Sequence, residues 1–261
     1  MITWDLDPVA FSLGPLEVRW YGLVYAAGFF LGYYVLKLAA ERGLLPGMTK
    51  KLAEDYIFQL MLGSIIGARL FYVIFYNPAY YLTHLIDILA VWKGGLSIHG
   101  GLIGAAIVTW YFCRKHEIGF YRLADILIVP LALVLVFGRL ANYVNGELWG
   151  RVTEVSWCVE FPHADGCRHP SQIYEALYSY VIFIILLVME QSKRFAEGVV
   201  FWSFILLYGT FRFIVTFFRE FDPTDPALLG LSLGQWFSLV MVGIAIWWFT
   251  TRGKHRLTRK A

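Results

Sequence analysis

Charge is scarce in this chain: 16% of its residues are Asp, Glu, Lys or Arg, against about a quarter in an ordinary soluble domain. That shortage excludes a surface solvated on all sides. The spacings that build metal and nucleotide sites are missing as well. There is no His-x-x-x-His, no Cys-x-x-Cys, no glutamate-rich helix, no Gly-x-Ser-x-Gly elbow and no Walker loop. No metal is therefore expected. Low-complexity tracts and short repeats are also lacking. The opening Met1-Ile2-Thr3-Trp4-Asp5 has no basic stretch, so no cleavable signal peptide is expected.

What is present is apolar sequence in long runs. Hydrophobic residues make up 59% of the chain, and the mean hydropathy is +0.60. Seven runs have transmembrane length: about Trp20 to Leu38, Tyr56 to Tyr76, Leu96 to Cys113, Leu123 to Leu140, Ile173 to Met189, Val199 to Phe218 and Leu233 to Thr251. The segment before Trp20 is short and broken by Pro8, Gly14 and Pro15, which suits a re-entrant or interfacial arm. Trp and Tyr gather near the run ends, as in an interfacial belt.

Lys and Arg fall in alternate connections: Lys37, Arg42, Lys50 and Lys51; Arg114, Lys115 and Arg122; Lys193 and Arg194; and the tail with Arg252, Lys254, Arg256, Arg259 and Lys260. Residues 77–92 hold none. Basic loops stay in the cytoplasm. The expected fold is thus an all-α integral membrane protein of seven helices, N-terminus outside and C-terminus cytoplasmic, with residues 1–261 forming one polytopic domain. A larger outer loop, Ala141 to Gln172, joins spans four and five. Its Arg151 and Arg168 read slightly better as charge that a long loop tolerates than as functional groups. The net charge of +3 fits a membrane surface better than nucleic acid.

Several ionisable groups fall in or beside these runs: Arg69, His99, Asp125, Arg139, Glu175 and Arg212. A charge at the bilayer centre costs on the order of 3 kcal/mol, so each needs a partner, a wet cavity or a substrate. Tyr208, Arg212, Thr216 and Arg219 share one helix face. Two guanidiniums on one stripe suit an anionic oxygen ligand. Arg219, at the helix end, fits either that role or a side chain reaching for water. The run from Gly138 to Gly150 gathers Arg139, Asn142, Asn145 and Glu147 beside a span, with Asn145-Gly146 also suited to a helix cap. His99 lies between two glycine pairs, Gly94-Gly95 and Gly100-Gly101, at the mouth of the third run. Such glycines permit close helix packing. The histidine itself reads as a proton acceptor near neutral pH. His169 opens the fifth run and reads as a loop-orienting residue. Cys158 and Cys167 share the outer loop, where a disulfide is open to them.

These segments together resemble the prolipoprotein diacylglyceryl transferase family. The resemblance runs from Asp7-Pro8-Val9, Gly14-Pro15 and Trp20-Tyr21-Gly22 through Gly67-Ala68-Arg69, the glycine-flanked His99 and the Arg139 to Gly150 signature. It continues in His169-Pro170-Ser171-Gln172 and closes in Tyr208-Gly209-Thr210-Phe211-Arg212. It implies transfer of the sn-1,2-diacylglyceryl group from phosphatidylglycerol to the lipobox cysteine of a prolipoprotein, with glycerol phosphate released, in the bacterial inner membrane. On that basis His99 is the expected base, and Arg139 and Arg212 stabilise the leaving phosphate. Asn142 and Glu147 bind the headgroup glycerol or orient Arg139, Asn145 and Arg219 also bind the substrate, and Tyr21 and Tyr208 line the lipid site. One departure stands out: the family usually has a glutamate where this chain has Thr216, and Glu220 is the expected substitute partner of Arg212. A lipid or small-anion transporter is the alternative, and a hydrolase using His99 and Glu147 is a third reading.

Overall fold

The computed structural model describes residues 2–14, 16–220 and 229–251. Pro15 and the basic tail of Arg252, Lys254, Arg256, Arg259 and Lys260 lie outside the described residues. In chain order the elements are β1 (Ile2–Thr3), β2 (Val9–Leu13), β3 (Leu16–Arg19), α1 (Trp20–Glu41), α2 (Lys50–Phe75), α3 (Pro78–Thr83), two 3-10 turns (Leu85–Leu89 and Val91–Lys93), α4 (Ile98–Lys115), α5 (Phe120–Val144), β4 (Val159–Glu160), α6 (Ser171–Ser192), α7 (Val199–Thr216) and α8 (Leu233–Thr251). Each expected span coincides with one long helix. Among the described residues, six of these helices are long and apolar enough to cross a membrane. The exception is α4, in which His99, three glycines and the terminal Arg114-Lys115 dilute the apolar run. The arm before Trp20 is an antiparallel hairpin of β2 and β3. It and the short β1–β4 pair qualify the all-α expectation, because strands of two to five residues leave no hydropathy signal.

The chain divides into two compact units, Gly32–Leu123 and a second made of Met1–Leu31 with Ala124–Ala261. In the first, α2 packs along α4. Gly63 and Gly67 on α2 face Gly100 and Gly104 on α4, each pair spaced as small-xxx-small. A Cβ at Gly67 would collide with the main-chain oxygen of Gly100 and stand 3.0 Å from the Cα of Gly104, so only glycine permits this approach. Gly100, read first as a flank of His99, is thus a helix-packing residue. Arg69 is also accounted for within this unit. It is 4% exposed and spreads its guanidinium over main-chain carbonyls. Its Nε donates to Ile88 O (2.9 Å), Nη1 to Gly94 O (2.6 Å) and Gly95 O (3.0 Å), and Nη2 to Asp87 O (2.5 Å) and Ala90 O (3.3 Å). Its role is to hold the irregular segment 87–95.

In the second unit, Ile128, Val129 and Ala132 of α5, Tyr178, Ile182 and Leu186 of α6, and Val200, Phe204 and Val215 of α7 form the buried core. Asp125 explains its own burial. Its carboxylate accepts from Gly198 N (2.6 Å) and Phe201 N (2.8 Å), so α5 caps the N-terminus of α7. The connection 145–170 is stapled by a disulfide between Cys158 and Cys167, whose Cα atoms lie 5.5 Å apart. It receives the N-terminal strand in parallel, Ile2 against Val159 and Thr3 against Glu160. Replacing Gly67 by Val should force α2 from α4 and cost about 1–3 kcal/mol. Unfolding of the purified variant in detergent checks this, and an unchanged midpoint would refute the contact.

Candidate functional site

The site begins with one carboxylate. Glu175 stands in the second turn of α6 and is 1% exposed. A carboxylate in an apolar interior persists only with compensating charge and hydrogen bonds. Three arginines supply both. Arg139, near the end of α5, places Nε 2.7 Å from Glu175 Oε2. Arg212 of α7 and Arg219, three residues past the end of α7, each bring Nη1 to Oε1, the latter at 2.8 Å. Arg139 also interacts with the Tyr208 hydroxyl. Three guanidiniums against one carboxylate leave a net charge of +2 on the four side chains. Each arginine side chain keeps 16–20% of its surface exposed, so donors remain within reach of a ligand. A largely buried cluster of guanidinium forks has the donor geometry that suits a phosphate or carboxylate.

A polar chain extends from Arg139. Its Nη1 donates to Asn142 Oδ1 (3.4 Å), Asn142 Nδ2 donates to Glu147 Oε1 (2.8 Å), and Asn145 Nδ2 donates to the same oxygen (3.2 Å). The helix ends so that Glu147 can fold back. Gly146 sits at φ +62°, a left-handed conformation that glycine adopts without strain, and Glu147 N returns to Asn142 O at 3.1 Å. Leu148 follows at φ +60°, a position costly for a branched side chain. The start of α6 holds this strained turn in place. Gln172 Nε2 donates to Glu147 O (2.6 Å) and Ser171 Oγ to Leu148 O (2.9 Å). At the start of α1 the Tyr21 and Tyr25 hydroxyls lie 2.8 Å apart, and Tyr25 is within electrostatic range of Arg139 and Glu147.

A family model described as prolipoprotein diacylglyceryl transferase matches residues 8–251. The chain belongs to the prolipoprotein diacylglyceryl transferase family. It is 49% identical over 240 residues to a curated phosphatidylglycerol–prolipoprotein diacylglyceryl transferase of Geobacter sulfurreducens, covering 90% of this chain and 91% of the relative. It is 44% identical over 257 residues to the protein of that name from Bordetella parapertussis, covering 97% and 98%. With its apolar helices, this member of the family is a multi-pass membrane protein. The transporter alternative is not favoured.

The contacts decide one earlier expectation. Thr216, which the resemblance sets against a glutamate, has its Oγ1 donating to Arg212 O at 2.7 Å. Glu220 does not replace that carboxylate; it pairs with Arg168. The partner of Arg212 is Glu175, which sequence reasoning counted among the ionisable groups but did not place in the site. The available signal was electrostatic: three cations near apolar spans require an anion, and Glu175 was a carboxylate within a span. Arg168 also departs from its reading as tolerated loop charge, since it is 8% exposed. Of the predicted site residues, Arg139, Asn142, Asn145, Glu147, Tyr208, Arg212 and Arg219 meet through the contacts above. His99 belongs to the other unit, where it is exposed on the first turn of α4 with its ring centroid 6.2 Å from that of Phe71. His169 sets Nδ1 3.0 Å from the Tyr174 hydroxyl and its ring edge-on to Phe218.

Two outcomes follow from these contacts. Glu175→Ala should strand three cations and cost about 3–5 kcal/mol of stability, read from unfolding in detergent. Burial holds the His169 pKa below its ordinary 6.5, so the folded ring resists protonation. As pH falls below 6.5 the unfolded chain binds the proton first, and stability declines until the folded pKa is passed. Melting curves from pH 7.5 to 5 should show this decline, and His169→Gln should lessen it.

Proposed function

We propose that the chain transfers the diacylglyceryl group of phosphatidylglycerol to the cysteine thiol of a prolipoprotein lipobox. The observation that carries this reading is the anion site of Arg139, Arg212 and Arg219 around Glu175, in a chain whose curated relatives bear that transferase's name. In the reaction a base takes the thiol proton. The thiolate sulfur attacks the glycerol carbon that bears the phosphate ester. The C–S bond forms as the C–O bond breaks, and its electron pair leaves with glycerol phosphate. A phosphodiester with one charge becomes a phosphomonoester that can carry two. The +2 of the arginine cluster complements that growth, which is how preorganised donors lower a barrier.

Arg139 and Arg212 stabilise the departing phosphate, and Arg219 binds it. Asn142, Asn145 and Glu147 offer hydrogen bonds to the headgroup glycerol, while Tyr21 and Tyr208 line the lipid site. His99 is the base, a role supported by its side-chain chemistry and its exposure. Glu175 acts through the arginines as a positioning residue. The phospholipid carries its own leaving group, so the step calls for no cofactor. We also propose that α4 is a seventh span, with the N-terminus outside, the C-terminus cytoplasmic and both units forming one transferase domain in the inner membrane. The loop charges support that orientation. So does the Cys158–Cys167 disulfide, which suits a compartment outside the cytoplasm.

The test uses purified protein, phosphatidylglycerol labelled in its acyl chains and a lipobox peptide. The expected result is label on the peptide thiol; lipid hydrolysis or transport without it would overturn the proposal. Arg139→Ala and His99→Gln should each lower the rate by about a hundredfold or more. Wild-type rates in either folded variant would remove that residue from the mechanism. His169→Ala should be milder.

A further inference from the structure

Arg219 lies beyond the last residue of α7 and is tied to it by one turn bond, from Arg219 N to Thr216 O at 3.1 Å. The connection 145–170 supplies further contacts. Arg151 N donates to Phe218 O (2.9 Å) and Arg151 Nε to Arg219 O (3.0 Å), and Gly150 pairs with Arg219 as an antiparallel bridge. Arg168 completes the clasp. Its Nη1 donates to Gly150 O (3.3 Å) and pairs with the Glu220 carboxylate, while Nε donates to Asp165 O (3.0 Å). Arg168 is itself firmly seated. Its main chain exchanges two hydrogen bonds of 2.9 Å with Val159, and the neighbouring Cys167 is bridged to Cys158.

We propose that the Arg168–Glu220 pair is a positioning device for Arg219. It anchors the residue immediately after Arg219 to a stapled loop. It also occupies the Glu220 carboxylate, which would otherwise compete with Glu175 and with substrate phosphate for the adjacent guanidinium. The inference rests on the reading of Arg219 as a phosphate ligand. Within that reading it adds a determinant of phospholipid affinity built from two residues outside the arginine cluster.

The experiment is a double-mutant cycle in the full-length protein, with steady-state transfer to a lipobox peptide from mixed micelles of varied phosphatidylglycerol content. Glu220 has a side chain 47% exposed, so Glu220→Gln is a mild surface change. It should raise KM for phosphatidylglycerol about three- to tenfold, with kcat within about twofold and the peptide KM unchanged. Glu220→Asp should recover most of the loss. In an Arg219→Ala background, Glu220→Gln should add nothing, because its effect passes through Arg219. Equal fold-changes in both backgrounds, or a silent Glu220→Gln where Arg219→Ala raises KM, would overturn this inference alone. Arg219→Ala with an unchanged KM would overturn the phosphate role of Arg219 first, and the positioning role with it.

Discussion

Burying one carboxylate among apolar helices constrains everything around it. Glu175 cannot stay charged there without cations, and Arg139, Arg212 and Arg219 cannot crowd together without an anion. Each group makes the others tolerable. The cluster therefore ties α5, α6 and the end of α7 at one point, above a core of aliphatic and aromatic side chains from the same three helices. Because one carboxylate does not neutralise three guanidiniums, the arrangement remains short of negative charge. Under the proposed reaction an anionic phospholipid headgroup meets that residual demand, and the match is closest when the leaving phosphate gains its second charge.

The polar residues between α5 and α6 extend this logic to hydrogen bonding. Glu147 is turned back by Gly146 and held through its carbonyl by Gln172, while Asn142 and Asn145 share one of its oxygens. A strained left-handed Leu148 is kept in place by Ser171. Two stretches of the resemblance, the Gly138–Gly150 run and the His169–Gln172 run, are thus two halves of one piece of structure.

Much of this was legible in the sequence, for definite reasons. The spans follow from run length, and Arg139 and Arg212 stand out because cations are rare in hydrocarbon. Asn142 and Glu147 declared themselves by crowding. What escaped were pairings between distant positions: Glu175 lies 37 residues from Arg212, and Arg168 lies 52 from Glu220. Periodicity reports which residues share a face, not which faces meet. Arg69 stayed open for a different reason. Its burial costs the same whether an anion or a set of carbonyls compensates it, and hydropathy counts the charge without seeing the acceptors.

That arginine has a consequence for how irregular backbone can exist in such a protein. Carbonyls that helices and sheets leave over need donors, from water or from the protein itself. The segment 87–95 directs five carbonyls at a single guanidinium that rises from α2. Arg69 acts as an internal solvent molecule, carried in on a helix and covalently unable to leave. A segment solvated in this way can turn apolar side chains such as Leu89 and Trp92 outward without exposing an unmet backbone group at those carbonyls.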